Sequence, residues 1–219
     1  RSSDWKNPYQ LNSKNPGGLY LFSSLLRSYI SKKNQIYSIE NTKHLKDLKN
    51  KKVNFIFVGE QFGLSDEEIY CFMNSIKNGS DAFISYTNLT ENISERIFEH
   101  LEMSYTYNER EVMNVGRNSF EFVHVFQNDT IARSWEVFRD YMLYDTNYRE
   151  LSTIDGIGNC ILIHHGKGKL ILHSNPFIFQ NYQLKRPEAF YYSSFLIKNL
   201  ATNKDVYNLE LARISREVN

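Results

Sequence analysis

Histidine is the side chain best suited to move a proton near neutral pH, and three of the six in this chain, His164, His165 and His173, fall in two neighbouring apolar runs. His164 and His165 are adjacent, so on a strand they point to opposite faces and cannot share one metal ion. No Cys, Asp or Glu stands beside them at metal-ligand spacing, and no metal is expected. His173, followed by Ser174 and Asn175 at the end of its run, is the better candidate for a general base. Other chemistries fail on their own requirements. Gly166-Lys167-Gly168-Lys169 joins two strands, whereas a phosphate loop needs its Lys followed by Ser/Thr at a helix N-terminus. The stretch Gly59-Glu60-Gln61-Phe62-Gly63 lacks the third glycine of a dinucleotide fingerprint. There is no Gly-x-Ser-x-Gly elbow. The two cysteines, Cys71 within a helical pattern and Cys160 opening a strand, read as buried free thiols rather than nucleophiles. No cofactor is expected.

These residues need elements to hold them. Asn15 with Pro16 predicts a helix start, and Leu19, Phe22, Leu25, Leu26, Tyr29 and Ile30 follow at helical spacing. Residues 36–39 read as a short strand, residues 41–49 as one or two polar helical turns, and residues 53–58 as a strand buried on both faces. Ser65 with Glu68 is a capping box for a helix that buries Ile69, Phe72, Met73 and Ile76 and closes at Asn78-Gly79. Residues 82–86 are a strand, and Asn92 with Glu95 caps a further helix carrying Ile93, Ile97, Phe98 and Leu101. This alternation predicts an α/β three-layer sandwich with a largely parallel sheet. Residues 104–150 change character, with period-two runs at 105–107, 111–115 and 120–126 and an aromatic run at 131–144; they read as a β-rich insertion. Residues 160–165 and 169–173 form a hairpin across the glycines. A last helix over residues 188–200 carries Phe190, Tyr191, Ser194, Phe195 and Ile197, and the tail after Ala201 is polar.

In an open sheet of this kind ligands sit beyond the carboxyl ends of the strands. The residues predicted there are Gly59, Glu60 and Gln61, then Ser85, Tyr86 and Thr87, then His173 and Asn175, with the turn containing Asn15 and Gly17 closing the ring. The chain has 219 residues, 41% hydrophobic and 23% charged, with Lys+Arg 26 against Asp+Glu 25, which excludes a disordered chain and gives no footprint for nucleic acid. One domain spanning residues 1–219 is expected. Arginine at position 1 reads as the start of a piece of a longer protein, and no run approaches the length of a membrane span.

Asp4-Trp5, Lys14-Asn15-Pro16-Gly17-Gly18-Leu19-Tyr20, Phe57-Val58-Gly59-Glu60, Leu64-Ser65-Asp66-Glu67-Glu68, Gly166-Lys167-Gly168, Leu172-His173-Ser174-Asn175-Pro176 and Phe179-Gln180-Asn181-Tyr182 occur in this order. Together they resemble the bacterial domain of unknown function numbered 4350. The resemblance implies a flavodoxin-like fold similar to the class I glutamine amidotransferase group. It also implies a domain flanked by membrane helices, reaching the membrane through segments absent from this sequence and facing the periplasm. In true amidotransferases a Cys nucleophile sits at the elbow that Ser85-Tyr86-Thr87 would match, and His173 would echo the catalytic His, with Pro176 where an acidic residue belongs. Without a thiolate, acyl transfer has no starting point. The expected function is therefore a non-catalytic sensing, binding or scaffolding module with a protein partner. The alternative is a degenerate pocket that binds or slowly hydrolyses a small polar ligand, with Glu60 or His173 as base.

Overall fold

An apolar run without polar alternation must be covered on both faces, and two such runs form the middle of this sheet. In the computed structural model, which describes residues 8–89, 113–115, 118–119, 148–154 and 157–213, they are β2 (Asn54–Val58) and β4 (Asp81–Ser85), buried along their whole length. The other described strands are β1 (Ile36–Ser38), β3 (Gln61–Phe62), β5 (Asn88–Leu89), β6 (Met113–Val115), β7 (Asn118–Ser119), β8 (Tyr148–Ile154), β9 (Ile157–His165), β10 (Gly168–His173) and β11 (Val206–Asn208). Nine of these form one sheet in the order β1-β11-β2-β4-β10-β9-β8-β6-β7, while β3 pairs with β5. From β1 to β10 the neighbours are parallel; from β10 to β7 they are antiparallel.

Successive strand residues face opposite ways, and here each set finds its own layer. Ile56, Val58, Phe83 and Ile171 pack with Phe22 and Leu26 of α1 (Tyr20–Tyr29) and with Ala189, Tyr192 and Leu196 of α5 (Pro187–Ile197). Phe55, Phe57, Ala82 and Ile84 pack with Leu45 of α2 (Thr42–Lys46) and with Ile69, Phe72 and Met73 of α3 (Asp66–Lys77). The result is an α/β three-layer sandwich of flavodoxin-like type. Each fully buried side chain of this size stabilises it by about 1.5–3 kcal/mol. The chain steps from β1 to β2 to β4 with α2 and α3 on one face, then returns from β10 to β11 with α4 (Asn181–Leu184) and α5 on the other. Crossovers of one hand require that change of face when the direction reverses.

Several predicted elements stand where expected. Asn41 caps α2 by accepting from the His44 N–H at 3.1 Å. Glu68 accepts from the Ser65 N–H at 2.9 Å in the capping box of α3, and Gly79 takes φ +113° after it. β9 and β10 form the hairpin, with Gly166 at φ +60°.

Others differ. α1 begins at Tyr20, not at Pro16, because the 13–18 turn closes on itself through the Gly18 N–H and the Asn15 carbonyl at 2.9 Å. A Cβ on Gly18 would lie 2.2 Å from the Ser13 carbonyl oxygen. The side chain that serves the first turn of α1 is Asn181, whose Oδ1 accepts from the Leu21 N–H at 2.8 Å. The last helix buries Ala189, Tyr192, Ser193, Leu196 and Ile197, leaving Phe190 and Tyr191 exposed. The polar tail contains β11, an internal strand between β1 and β2. Of the β-rich insertion, β6, β7 and the start of β8 extend the same sheet. The helix predicted from Asn92 and the runs at 105–107, 120–126 and 131–144 lie outside the described residues.

Candidate functional site

The parallel register brings three strand ends level: Val58 of β2 opposite Ser85 of β4, and Ser85 opposite His173 of β10. Beyond them the chain parts. After β2 and β4 it turns toward α3, with Phe62 and Tyr86 in that layer's core, whereas after β10 it turns toward α1, with Phe177, Ile178 and Phe179 in the other. Between β4 and β10, therefore, lies the topological switch point, the place where sheets of this kind open a crevice.

Side chains of the protein itself fill that place. Ser85 Oγ lies 2.7 Å from His173 Nδ1, and the Asn175 N–H lies 3.2 Å from the same nitrogen. His173 Nε2 lies 2.9 Å from the Tyr192 hydroxyl, which lies 2.8 Å from Ser152 Oγ; Ser152 in turn donates to Asn159 Oδ1 at 2.7 Å. The donors follow by elimination. A backbone N–H can only donate, so His173 Nδ1 is an acceptor and accepts the hydrogen bond of the Ser85 hydroxyl as well. Nε2 then carries the ring hydrogen and donates to Tyr192. The Tyr192 hydroxyl in turn shares hydrogen bonds with Ser152 and Asn159. The rings of Phe83 and Phe179 flank the imidazole at centroid distances of 6.2 and 5.0 Å.

Ser85, His173 and Tyr192 are each 0% exposed. Burial lowers the His173 pKa to about 3, so the imidazole is neutral throughout the physiological range, and burial pushes the Tyr192 hydroxyl well above its ordinary value. A hydroxyl donating to an imidazole is the arrangement of an activated nucleophile. Two features remove it from that role. No solvent-accessible surface remains on either atom's residue, and the far ring nitrogen donates to a tyrosyl oxygen, where an acylating triad places a carboxylate to stabilise the imidazolium. The group is a closed hydrogen-bonded network, with both ring nitrogens of the imidazole satisfied, as a buried polar cluster requires.

Of the residues predicted to line a crevice, the structure joins Ser85, His173 and Asn175 in this network. Gly59 and Tyr86 meet it through the backbone, the Gly59 N–H donating to the Ser85 carbonyl and the Tyr86 N–H to the His173 carbonyl, each at 3.0 Å. Tyr86 is not a lining residue, since its ring is buried in the layer of α2 and α3. Gly59 leaves room for Arg213, whose Nη1 would lie 2.7 Å from a Cβ there and donates to the Val58 carbonyl at 2.6 Å. Glu60 and Gln61 are exposed and Thr87 half-buried, forming an outer rim in which the Thr87 N–H donates to the Glu60 carbonyl at 3.0 Å. Asn15 and Gly17 do not close the ring. Their hydrogen bonds run to Tyr9, Ser13, Gly18 and Asn181. Tyr192, Ser152 and Asn159 escape the sequence reading; the available signal was the rule that a buried tyrosine hydroxyl finds a partner.

His164 is exposed and His165 half-buried at the end of β9, and no metal-binding group of three or more His, Cys, Asp or Glu occurs among the described residues. Cys71 and Cys160 are free thiols; burial raises the pKa of both. Among the described residues no helix is long and apolar enough to cross a membrane.

No protein-family model matches the chain, and no curated protein matches it. Solved structures similar to it include the exo-beta-1,4-mannosidase Op5Man5 from Opitutaceae bacterium strain TAV5, at 12% identity and a TM-score of 0.46 over 70% of this chain and 26% of that one. The cytoplasmic protein STM1381 from Salmonella typhimurium LT2 matches at 9% identity and a TM-score of 0.42, covering 81% of this chain and 87% of its own. The cytoplasmic protein STM3548 from Salmonella typhimurium matches at 9% identity and 0.40, covering 62% and 64%. The chain thus spans about a quarter of the mannosidase. Similarity at this level carries no argument about activity, and the fold stands on the strand order above.

Proposed function

We propose that this chain is a non-catalytic binding or scaffolding domain of a bacterial membrane protein, held on the extracytoplasmic side and acting through its surface. One observation carries the non-catalytic part: the switch-point crevice, where an α/β enzyme keeps its reacting groups, is occupied by the buried Ser85–His173–Tyr192 chain with a neutral imidazole. The membrane and periplasmic parts rest on the resemblance of the ordered motifs to the domain of unknown function 4350. A protein partner there is the reading that follows for a domain of near-neutral charge.

Chromogenic amide and ester substrates offered to the purified chain test the first part. Rates at the level of the buffer blank are expected for the wild type, Ser85→Ala and His173→Gln alike. Turnover that disappears in both variants would overturn the reading. Reporter fusions on either side of the domain in the complete protein test the location, with activity of the periplasmic reporter expected.

A second reading has one feature in its favour. The rim of Glu60, Gln61 and Thr87 stays outside the buried network, with Glu60 and Gln61 exposed, and can still hold a small polar ligand. Thermal denaturation in the presence of amino acids, sugars and nucleotides separates the two. A ligand at a hundredfold excess over its Kd stabilises by about 2.7 kcal/mol.

A further inference from the structure

A helix that is apolar all round is normally covered all round. Residues 189–197 of α5 include no charged side chain. Its inner face is buried, yet its outer face presents Phe190 and Tyr191, exposed by 48% and 50%. Single exposed aromatics need no explanation, but these continue into a connected patch. Phe190 stands one turn from Arg186, whose guanidinium lies 5.3 Å from the ring of Tyr182 and hydrogen-bonds its hydroxyl at 3.3 Å. The Tyr182 N–H donates to the Pro16 carbonyl, and neighbouring Asn181 binds the first turn of α1, the turn that carries the exposed Tyr20. Lys14 lies 4.9 Å above the Tyr20 ring. Lys185 is exposed on the same segment, and Glu188 is the acid among these cations.

We propose that this face, formed by Lys14, Tyr20, Tyr182, Arg186, Phe190 and Tyr191, lies against an anionic lipid bilayer. Three of its four aromatics are tyrosines, whose side chain joins an apolar ring to a polar tip. That is the residue choice of a membrane–water boundary, where long cationic stems reach up to headgroup phosphates while the rings sit below. Among the described residues of this face Lys14, Lys185 and Arg186 outnumber Glu188, which matches a negatively charged surface. The inference concerns the domain's own surface and does not depend on the anchoring proposed above.

Sedimentation of the purified chain with phosphatidylcholine vesicles, with and without phosphatidylglycerol, tests it. Co-sedimentation is expected with the anionic vesicles at low ionic strength and is expected to decline as salt screens the attraction. Lys14→Ala and Arg186→Ala should each weaken partitioning about fivefold, and the exposed pair Phe190→Ser, Tyr191→Ser by about tenfold or more. Thermal midpoints equal to the wild type show that these surface variants remain folded. Failure to bind phosphatidylglycerol vesicles would overturn the proposal, as would equal binding by both sets of variants. So would self-association through this face in the absence of lipid, abolished by the same substitutions, which would make a second copy the occupant.

Discussion

His173 is fully buried at the end of β10. Its type and its place at a strand end mark it as a proton carrier, but burial holds its pKa at about 3, against about 6.5 in an unfolded chain. Between those values the unfolded state binds a proton that the folded state refuses. Stability contributed by the neutral imidazole is therefore complete above the unfolded value and is lost as pH falls toward 3, by roughly 1.4 kcal/mol per pH unit. Urea unfolding of the wild type at pH 7, 6 and 5 should show this decline. His173→Gln, which cannot titrate, should be less stable at pH 7 and show a flatter dependence. A pH profile unchanged by the substitution would mean that the imidazole is not desolvated as described. The type and location of His173 were legible in the sequence. Ser85 and Asn175 were legible beside it as strand-end residues; Tyr192 was not, because it comes from α5, and its own partner Ser152 comes from β8.

At the scale of the element, local signals served wherever the element satisfies itself. The capping box of Ser65 and Glu68 and the glycine turn of the β9–β10 hairpin lie within four residues of what they serve. They were readable for that reason. α1 is the counterexample. Asn15 has the residue type of a cap, but the acceptor for the Leu21 N–H is Asn181, and the same amide donates to the Ser13 and Asn15 carbonyls at 2.8 and 2.7 Å. The segments Lys14–Tyr20 and Phe179–Tyr182 are thus bonded to each other. Asn181→Ala orphans the Leu21 N–H and removes one of two hydrogen bonds at each of the Ser13 and Asn15 carbonyls, around a side chain that is 3% exposed, and should cost about 1–3 kcal/mol by chemical denaturation. Asn181→Asp should cost more, since a carboxylate would face the two carbonyls. A loss under 0.5 kcal/mol in either, the level of an ordinary surface change, would show that the turn is held by other contacts.

Across the whole molecule the decisive strand is the one with least local signal. β11 has three residues, too few for a period to show, yet it pairs with Ile36–Ser38 on one side and residues 54–56 on the other. Its polar flanks are used as well. The Asp205 carboxylate accepts from the Gln35 N–H at 2.9 Å, and Lys204 Nζ reaches the Asp81 carboxylate at 2.9 Å. A chain ending at residue 202 leaves β1 without its neighbour and the edge of β2 open, and it should lose the cooperative thermal transition of the intact chain. A sharp transition near the wild-type midpoint would show β11 to be dispensable. What could be read without coordinates was whatever hydrophobic period and turn chemistry encode over a dozen residues: the α/β class, the buried central strands, the hairpin and the level of the strand ends. Folding alone decided which strands outside the hairpin became neighbours, that the crevice at their ends is closed by Ser85, His173 and Tyr192, and that aromatic residues of α5 face outward. Those outcomes depend on pairings between distant segments, and a strand or a polar side chain carries no local mark of the partner that will satisfy it.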